Sequence, residues 1–211
     1  MKEASVDSKE FFNQVASQWD QMRTQFYSDR VREKAMDVAG VVTGRKAADI
    51  GAGSGFLTEG LLRRGLEVVA VDQSPEMLSE MKRKFGEARV DYRQGEAERL
   101  PLTDAEVDYV LANMYLHHVE SPGEAIREMA RVLKPGGRLV ITDADEHNFE
   151  FLRTEHHDRW LGFKREDIQR WFEEAGLKQV KVGSLDETCC VDSECGSQKA
   201  SISIFVASGE K

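Results

Sequence analysis

Lys46-Ala-Ala-Asp-Ile50, Gly51-Ala-Gly-Ser-Gly55 and Phe56-Leu-Thr-Glu-Gly-Leu-Leu62 follow one another without a gap in a chain of 211 residues. The first run is short and mostly apolar, as a buried strand should be. The second carries glycine at alternate positions, and the third repeats large apolar residues at helical spacing until Gly65 stops it. Strand, glycine turn and helix in this order present backbone amides at the positive end of a helix, where a polar ligand can approach closely. A dinucleotide-binding loop needs glycine at positions equivalent to 51, 53 and 56, but position 56 is Phe. The G-x-G-x-G pattern suits an amino-acid or ribosyl group lying over the backbone, and it disfavours a nicotinamide-dependent dehydrogenase.

Downstream, Glu67-Val-Val-Ala-Val-Asp72 is β-branched and apolar, as a strand covered on both faces would be. Ser74-Pro75 opens a helix whose inner face is Leu78, Met81 and Phe85. Further strands are predicted at Val90–Gln94, Val107–Ala112 and Arg138–Thr142. Ser121-Pro-Gly-Glu124 reads as a capping box ahead of Ile126, Met129, Val132 and Leu133, and Lys134-Pro-Gly-Gly137 as a turn. Residues 144–163 have no clear period. A helix from Arg165 to Ala175 follows, then strands at Lys178–Val182 and Ser201–Ala207, with the cysteines in a polar loop between them. Upstream, Phe11, Phe12, Val15, Trp19, Met22 and Phe26 draw one apolar stripe on an amphipathic helix, and a second helix runs from about Asp29 to Val41. Strands alternating with helices predict βαβ units and a doubly wound α/β fold, with ligands bound beyond the C-terminal strand ends.

Composition narrows the class. The 38 acidic residues exceed the 29 basic ones, for a net charge of −9, so nucleic acid and anionic membranes are not expected partners. No apolar run is long enough to span a bilayer and no secretory segment follows Met1. Three cysteines make no disulfide framework. The expectation is a single cytoplasmic domain, monomeric or homodimeric.

Asp72 ends its strand where a carboxylate can accept hydrogen bonds from both hydroxyls of a ribose. With Asp49–Gly55 and Val71–Met77 come Gly95-Glu-Ala-Glu-Arg-Leu-Pro101, Val107-Asp108, Leu116-His-His118 and Arg131–Gly137. In this order the set resembles the class I S-adenosylmethionine-dependent methyltransferases, of the small-molecule branch related to ubiquinone and menaquinone biosynthesis. The resemblance implies a seven-stranded, mostly parallel Rossmann-like sheet. The expected organisation is an N-terminal helical lid (1–41) carrying the apolar stripe, a cofactor-binding core (42–142) and an acceptor-side segment with the last strands (143–211). Gly51, Ala52, Gly53 and Gly55 would line the methionine part of S-adenosylmethionine, and Asp49 would help to hold its amino group. Asp72 would bind the ribose, with Gln73 and Met77 beside the adenine, Glu96 and Ala97 at its edge, and Asn113 facing the methyl-donor end. Many relatives carry Asp where Glu96 stands.

Methyl transfer from a sulfonium requires positioning first and a base only for some acceptors. His117 and His118 are candidate bases, as are His156 and His157 in a segment that also holds Asp143, Asp145, His147 and Asp158. That segment lacks the spacing of a metal site, and none is expected. Phe149, Phe151 and Trp160 are expected to wall the acceptor pocket. Cys189, Cys190 and Cys195 lie close enough in sequence to converge on a soft ion, which raises arsenite as an alternative acceptor to a small organic molecule. A non-catalytic module that only binds S-adenosylmethionine is the alternative of another class.

Overall fold

A computed structural model describes residues 8–86, 90–193 and 196–211. Strands β1 (Lys46–Ile50), β2 (Glu67–Asp72), β3 (Val90–Gln94), β4 (Val107–Asn113), β5 (Leu133–Ala144), β6 (Lys178–Asp192) and β7 (Lys199–Glu210) form one sheet in the order β3-β2-β1-β4-β5-β7-β6. The first five are parallel, and β7 runs antiparallel between β5 and β6. The fold is the doubly wound α/β sheet predicted from the alternation.

Helices cover both faces: α3 (Arg30–Ala39), α4 (Phe56–Arg63) and α5 (Pro75–Phe85) belong to one, α6 (Pro122–Val132) and α8 (Arg165–Glu174) to the other. The two-residue period of the strands divides their side chains accordingly. Ala47, Val68 and Ala70 pack with Met36, Leu57 and Leu61, while Ile50, Val69 and Val71 pack in the cluster of Ile126, Met129 and Phe172. β1 lies between β2 and β4, so the crossovers on its two sides diverge and open a crevice at the C-terminal ends of β1 and β4.

Several local expectations are corrected. The N-terminal stripe is not one helix: α1 (Ser8–Val15) and α2 (Trp19–Phe26) are separated by a 3-10 turn at Ala16–Gln18. The Ser121 side chain caps nothing; its carbonyl receives the Glu124 and Ala125 amides instead. Lys134–Gly137 is part of β5, and Gly136 and Gly137 exchange backbone hydrogen bonds with Lys211 at the end of the chain. The last two strands are far longer than predicted, so Cys189 and Cys190 lie within β6 rather than in a loop. Between β5 and α8 a short helix, α7 (Phe151–Glu155), interrupts the aperiodic stretch. Among the described residues no helix is long and apolar enough to cross a membrane.

Candidate active site

The glycine loop turns back over β2. The Gly51 and Ala52 amides both donate to the Val71 carbonyl, at 2.9 and 3.0 Å, and Gly51 and Gly53 adopt φ of +67° and +54°. Asp72 fixes the next step: one carboxylate oxygen accepts the Gly53 amide and the other the Ser74 amide, each at 2.8 Å. Ser74 caps α5 as predicted, accepting the Met77 amide at 3.0 Å. Asp49 accepts both the amide and the hydroxyl of Thr58 at the start of α4, at 2.9 and 2.7 Å. Burial pushes the Asp49 carboxyl up to about 7 despite those bonds, and burial likewise raises Asp72 against its backbone donors.

These residues surround a cleft lined by Asp49, Gly51, Ala52, Gly53, Asp72, Gln73, Met77 and Asn113. Gly55, Glu96 and Ala97 do not line it. Gly55 is packed so closely against Phe85 and Met81 that a Cβ there would collide with α5. Glu96 is exposed, and Ala97 is buried with its backbone amide facing the Tyr115 hydroxyl. Tyr115 was not anticipated: its ring lies on Gly51, leaving no room for a Cβ there. It follows Met114, which holds φ +47°. Asn113 is committed to the fold, donating to the Tyr27 hydroxyl at 3.1 Å and accepting from Thr142 at 2.8 Å.

Helices α1 and α2 close over this cleft. Trp19 stands above Gly53, and Asp20 accepts hydrogen bonds from Ser54 of the loop and Lys84 of α5. A second pocket shares the side chains of Phe12, Trp19, Tyr27, Met114 and His118 with the cleft. Its apolar wall comes from Phe11, Phe26, Leu152, Cys189, Val191 and Ile202, and its polar groups are His117, His118, His147, His156 and Asp158. The wall expected from Phe149, Phe151 and Trp160 is not there: the first two pack with the core, and the Trp160 indole donates to the Val119 carbonyl at 2.8 Å. His157 lies outside the lining, its ring tilted against that of Phe11.

His117 is the most constrained of the imidazoles. Its Nδ1 is 2.6 Å from Asp143 and its Nε2 is 3.7 Å from Asp158. Burial opposes its charged form, but the two carboxylates outweigh burial and raise it to about 9. His118, half-buried and beside that charge, is held well below the usual histidine range by desolvation and by its neighbour. Burial also raises Asp158 to about 6. Cys189 faces the pocket with its thiol pushed up to about 12 by burial, whereas Cys190 points across β6 toward Thr188 and Ser201. Adjacent strand residues face opposite ways, so Cys189 and Cys190 cannot converge on one ion. Cys195 lies outside the described residues.

A family profile described as a methyltransferase domain matches residues 48–141. Over 162 residues the chain is 34% identical to a demethylmenaquinone methyltransferase of Renibacterium salmoninarum, covering 73% of this chain and 68% of that one. The chain belongs to the S-adenosylmethionine-dependent methyltransferases. This methyltransferase is also 47% identical over 97 residues to an uncharacterised methyltransferase of Mycobacterium tuberculosis, an overlap of 46% of this chain and 39% of the relative's length. Its fold superposes on a methyltransferase from Aquifex aeolicus with a TM-score of 0.67 at 21% identity, covering 94% and 97% of the two chains. The methyltransferase uses S-adenosylmethionine as methyl donor.

Proposed function

We propose that this enzyme methylates a flat, largely apolar aromatic molecule bearing a hydroxyl, of the phenol or quinol type, seated in the second pocket. The observation that carries the reading is the pocket itself: aromatic and aliphatic on most sides, polar only at its histidines and Asp158, and sharing Met114 and His118 with the cofactor cleft. The name of the Renibacterium relative, a methyltransferase of a quinone precursor, agrees with it.

The cleft fits the donor. Asp72 has used two of its lone-pair directions on backbone amides and keeps others for ribose hydroxyls. The backbone of Gly51–Gly53 would carry the methionine part, Asp49 the amino group, and Gln73 and Met77 the adenine. Ala97 would reach the adenine edge only if Tyr115 swings off Gly51. S-adenosylmethionine supplies a methyl group on a cationic sulfur, already activated for displacement. The protein's part would then be alignment and dryness: α1 and α2 cover both pockets, and the imidazoles of the second pocket would stand beside the acceptor hydroxyl.

Conversion of S-adenosylmethionine to S-adenosylhomocysteine should be measured with phenols, quinols, aliphatic amines and arsenite as acceptors. Turnover confined to the phenols and quinols is expected. Turnover with amines or arsenite alone would replace the reading.

A further inference from the structure

We propose that His117, His118 and Asp158 form a divalent transition-metal site at the floor of the acceptor pocket. The three side chains come from two segments, the 3-10 turn Leu116–His118 after β4 and the loop after α7. Each offers a ligand atom within 4.8 Å of the other two, and His117 Nε2 is 3.7 Å from Asp158 Oδ1. Ligands about 2.0–2.1 Å from a tetrahedral ion stand roughly 3.3 Å apart, so a contraction of at most about 1.5 Å closes the set.

The surroundings hold these groups in place. Asp143 takes His117 Nδ1 at 2.6 Å and also faces the His117 amide, which leaves Nε2 turned toward Asp158. Such a carboxylate–histidine pair is how metal-binding imidazoles are oriented. The Arg159 and Trp160 amides both donate to the His117 carbonyl, at 3.1 and 3.0 Å, and the Trp160 indole donates to Val119. Three hydrogen bonds therefore clamp the Asp158 segment to the histidine turn before any ion arrives. Two carboxylates, one fully buried and the other nearly so, converge on His117, and a dication would balance them.

Two imidazoles and one carboxylate suit Zn2+, Co2+ or Fe2+ better than Mg2+ or Ca2+, which prefer all-oxygen shells. Three protein ligands leave a position open, and the space beside it is the acceptor pocket. Only the consequence of the ion rests on the acceptor reading given above. An acceptor hydroxyl that ligates it would release its proton to water more readily. The resulting oxyanion would form the new O–C bond while the C–S bond of the donor breaks, its electron pair staying on sulfur.

The test needs no acceptor, so its failure is distinct from failure of the acceptor reading. The chelator-stripped 211-residue chain without a histidine tag is titrated with Co2+, followed by visible ligand-field absorption and by competition with Zn2+. One ion per chain is expected. His118→Ala and Asp158→Ala should each weaken uptake by about 100-fold, and Asp143→Asn, acting through His117, by about 10- to 100-fold. His156→Ala, in the same pocket but outside the cluster, should bind as wild type. Thermal melts of the metal-free variants check that each is folded. Absent ligand-field bands in excess cobalt, or folded His118→Ala and Asp158→Ala proteins that take up cobalt like wild type, would overturn the site.

Discussion

At the floor of the cofactor cleft, where β1 and β2 end, the deciding contacts are local. Asp49 meets Thr58 nine residues on, Ser74 meets Met77 three residues on, and Asp72 meets Gly53 across 19. Around the acceptor pocket they are remote: His117 meets Asp143 across 26 residues and Trp160 meets Val119 across 41. The first half is set by strand ends and a glycine turn that the sheet itself holds rigid. The second is assembled from α1 and α2, the turn after β4, the loop after α7 and the inner face of β6, which must all dock before the pocket exists. One half is thus built to present the same group every time, and the other can change its acceptor by changing segments that the sheet does not need.

If that division is right, the largest single-residue effect belongs to the cofactor half. Asp72→Ala removes a carboxylate that shapes the loop and, on our reading, binds the ribose. Charge-assisted hydrogen bonds are worth about 1.5–3 kcal/mol each, so losing two should weaken S-adenosylhomocysteine binding by about 100-fold or more. Calorimetry on a folded variant that binds like wild type would break the comparison at its stronger end.

The next effect should fall on the acceptor half. Removing residues 1–26 keeps Tyr27, whose hydroxyl accepts from Asn113, and takes away Phe11, Phe12, Trp19 and Phe26. Each large apolar side chain buried against a ligand contributes about 1.5–3 kcal/mol, so kcat/KM should drop by more than about tenfold while the core keeps a cooperative melt. Full activity in the shortened chain would mean that α1 and α2 are neither lid nor wall.

The same contrast decides what the sequence made legible. Asp49–Gly55 and Asp72–Met77 are short runs whose residue types are dictated by the backbone they must adopt, so a strand, a loop and a capped helix could be named directly. Tyr115 escaped because nothing in its neighbours says that its ring will lie on a glycine 64 positions earlier. The density of Phe149, Phe151 and Trp160 in the sequence points to an aromatic wall there, yet the wall comes from the N-terminal helices. His117, His118 and Asp158 lack helical ligand spacing because two separate turns supply them. The full length of the β6–β7 hairpin is hidden in the sequence because Gly183 and the polar residues of its outer face interrupt the apolar alternation.

A pH titration sharpens the cofactor half further. The Asp49 carboxyl is raised from 3.8 to about 7, so between those values the folded protein holds a proton that the unfolded chain has lost. This group therefore makes stability fall as pH rises through that window. A cationic amino group beside Asp49 requires the carboxylate, so S-adenosylmethionine affinity should move the other way, rising about tenfold per pH unit until about 7 and then levelling. Asp49→Asn should flatten the profile, and a profile unchanged in that variant would place the amino group elsewhere.

The smallest effect comes from the two cysteines, which sit side by side in β6 and divide along the same line. Cys189 is buried against the acceptor pocket, so Cys189→Ser puts a hydroxyl into apolar surroundings at a cost of about 1–2 kcal/mol and should raise the acceptor KM. Cys190 faces away, half-buried beside Ser201, and Cys190→Ser should change stability by less than about 0.5 kcal/mol and leave turnover untouched. Burial also keeps the Cys189 thiol protonated, so at neutral pH a maleimide should label Cys190 well before Cys189. The pleat of one strand would account for both results. Equal labelling of the two thiols, or equal loss of turnover in the two serine variants, would mean that β6 does not present alternate residues to the pocket, and the acceptor half would have to be rebuilt from a different register.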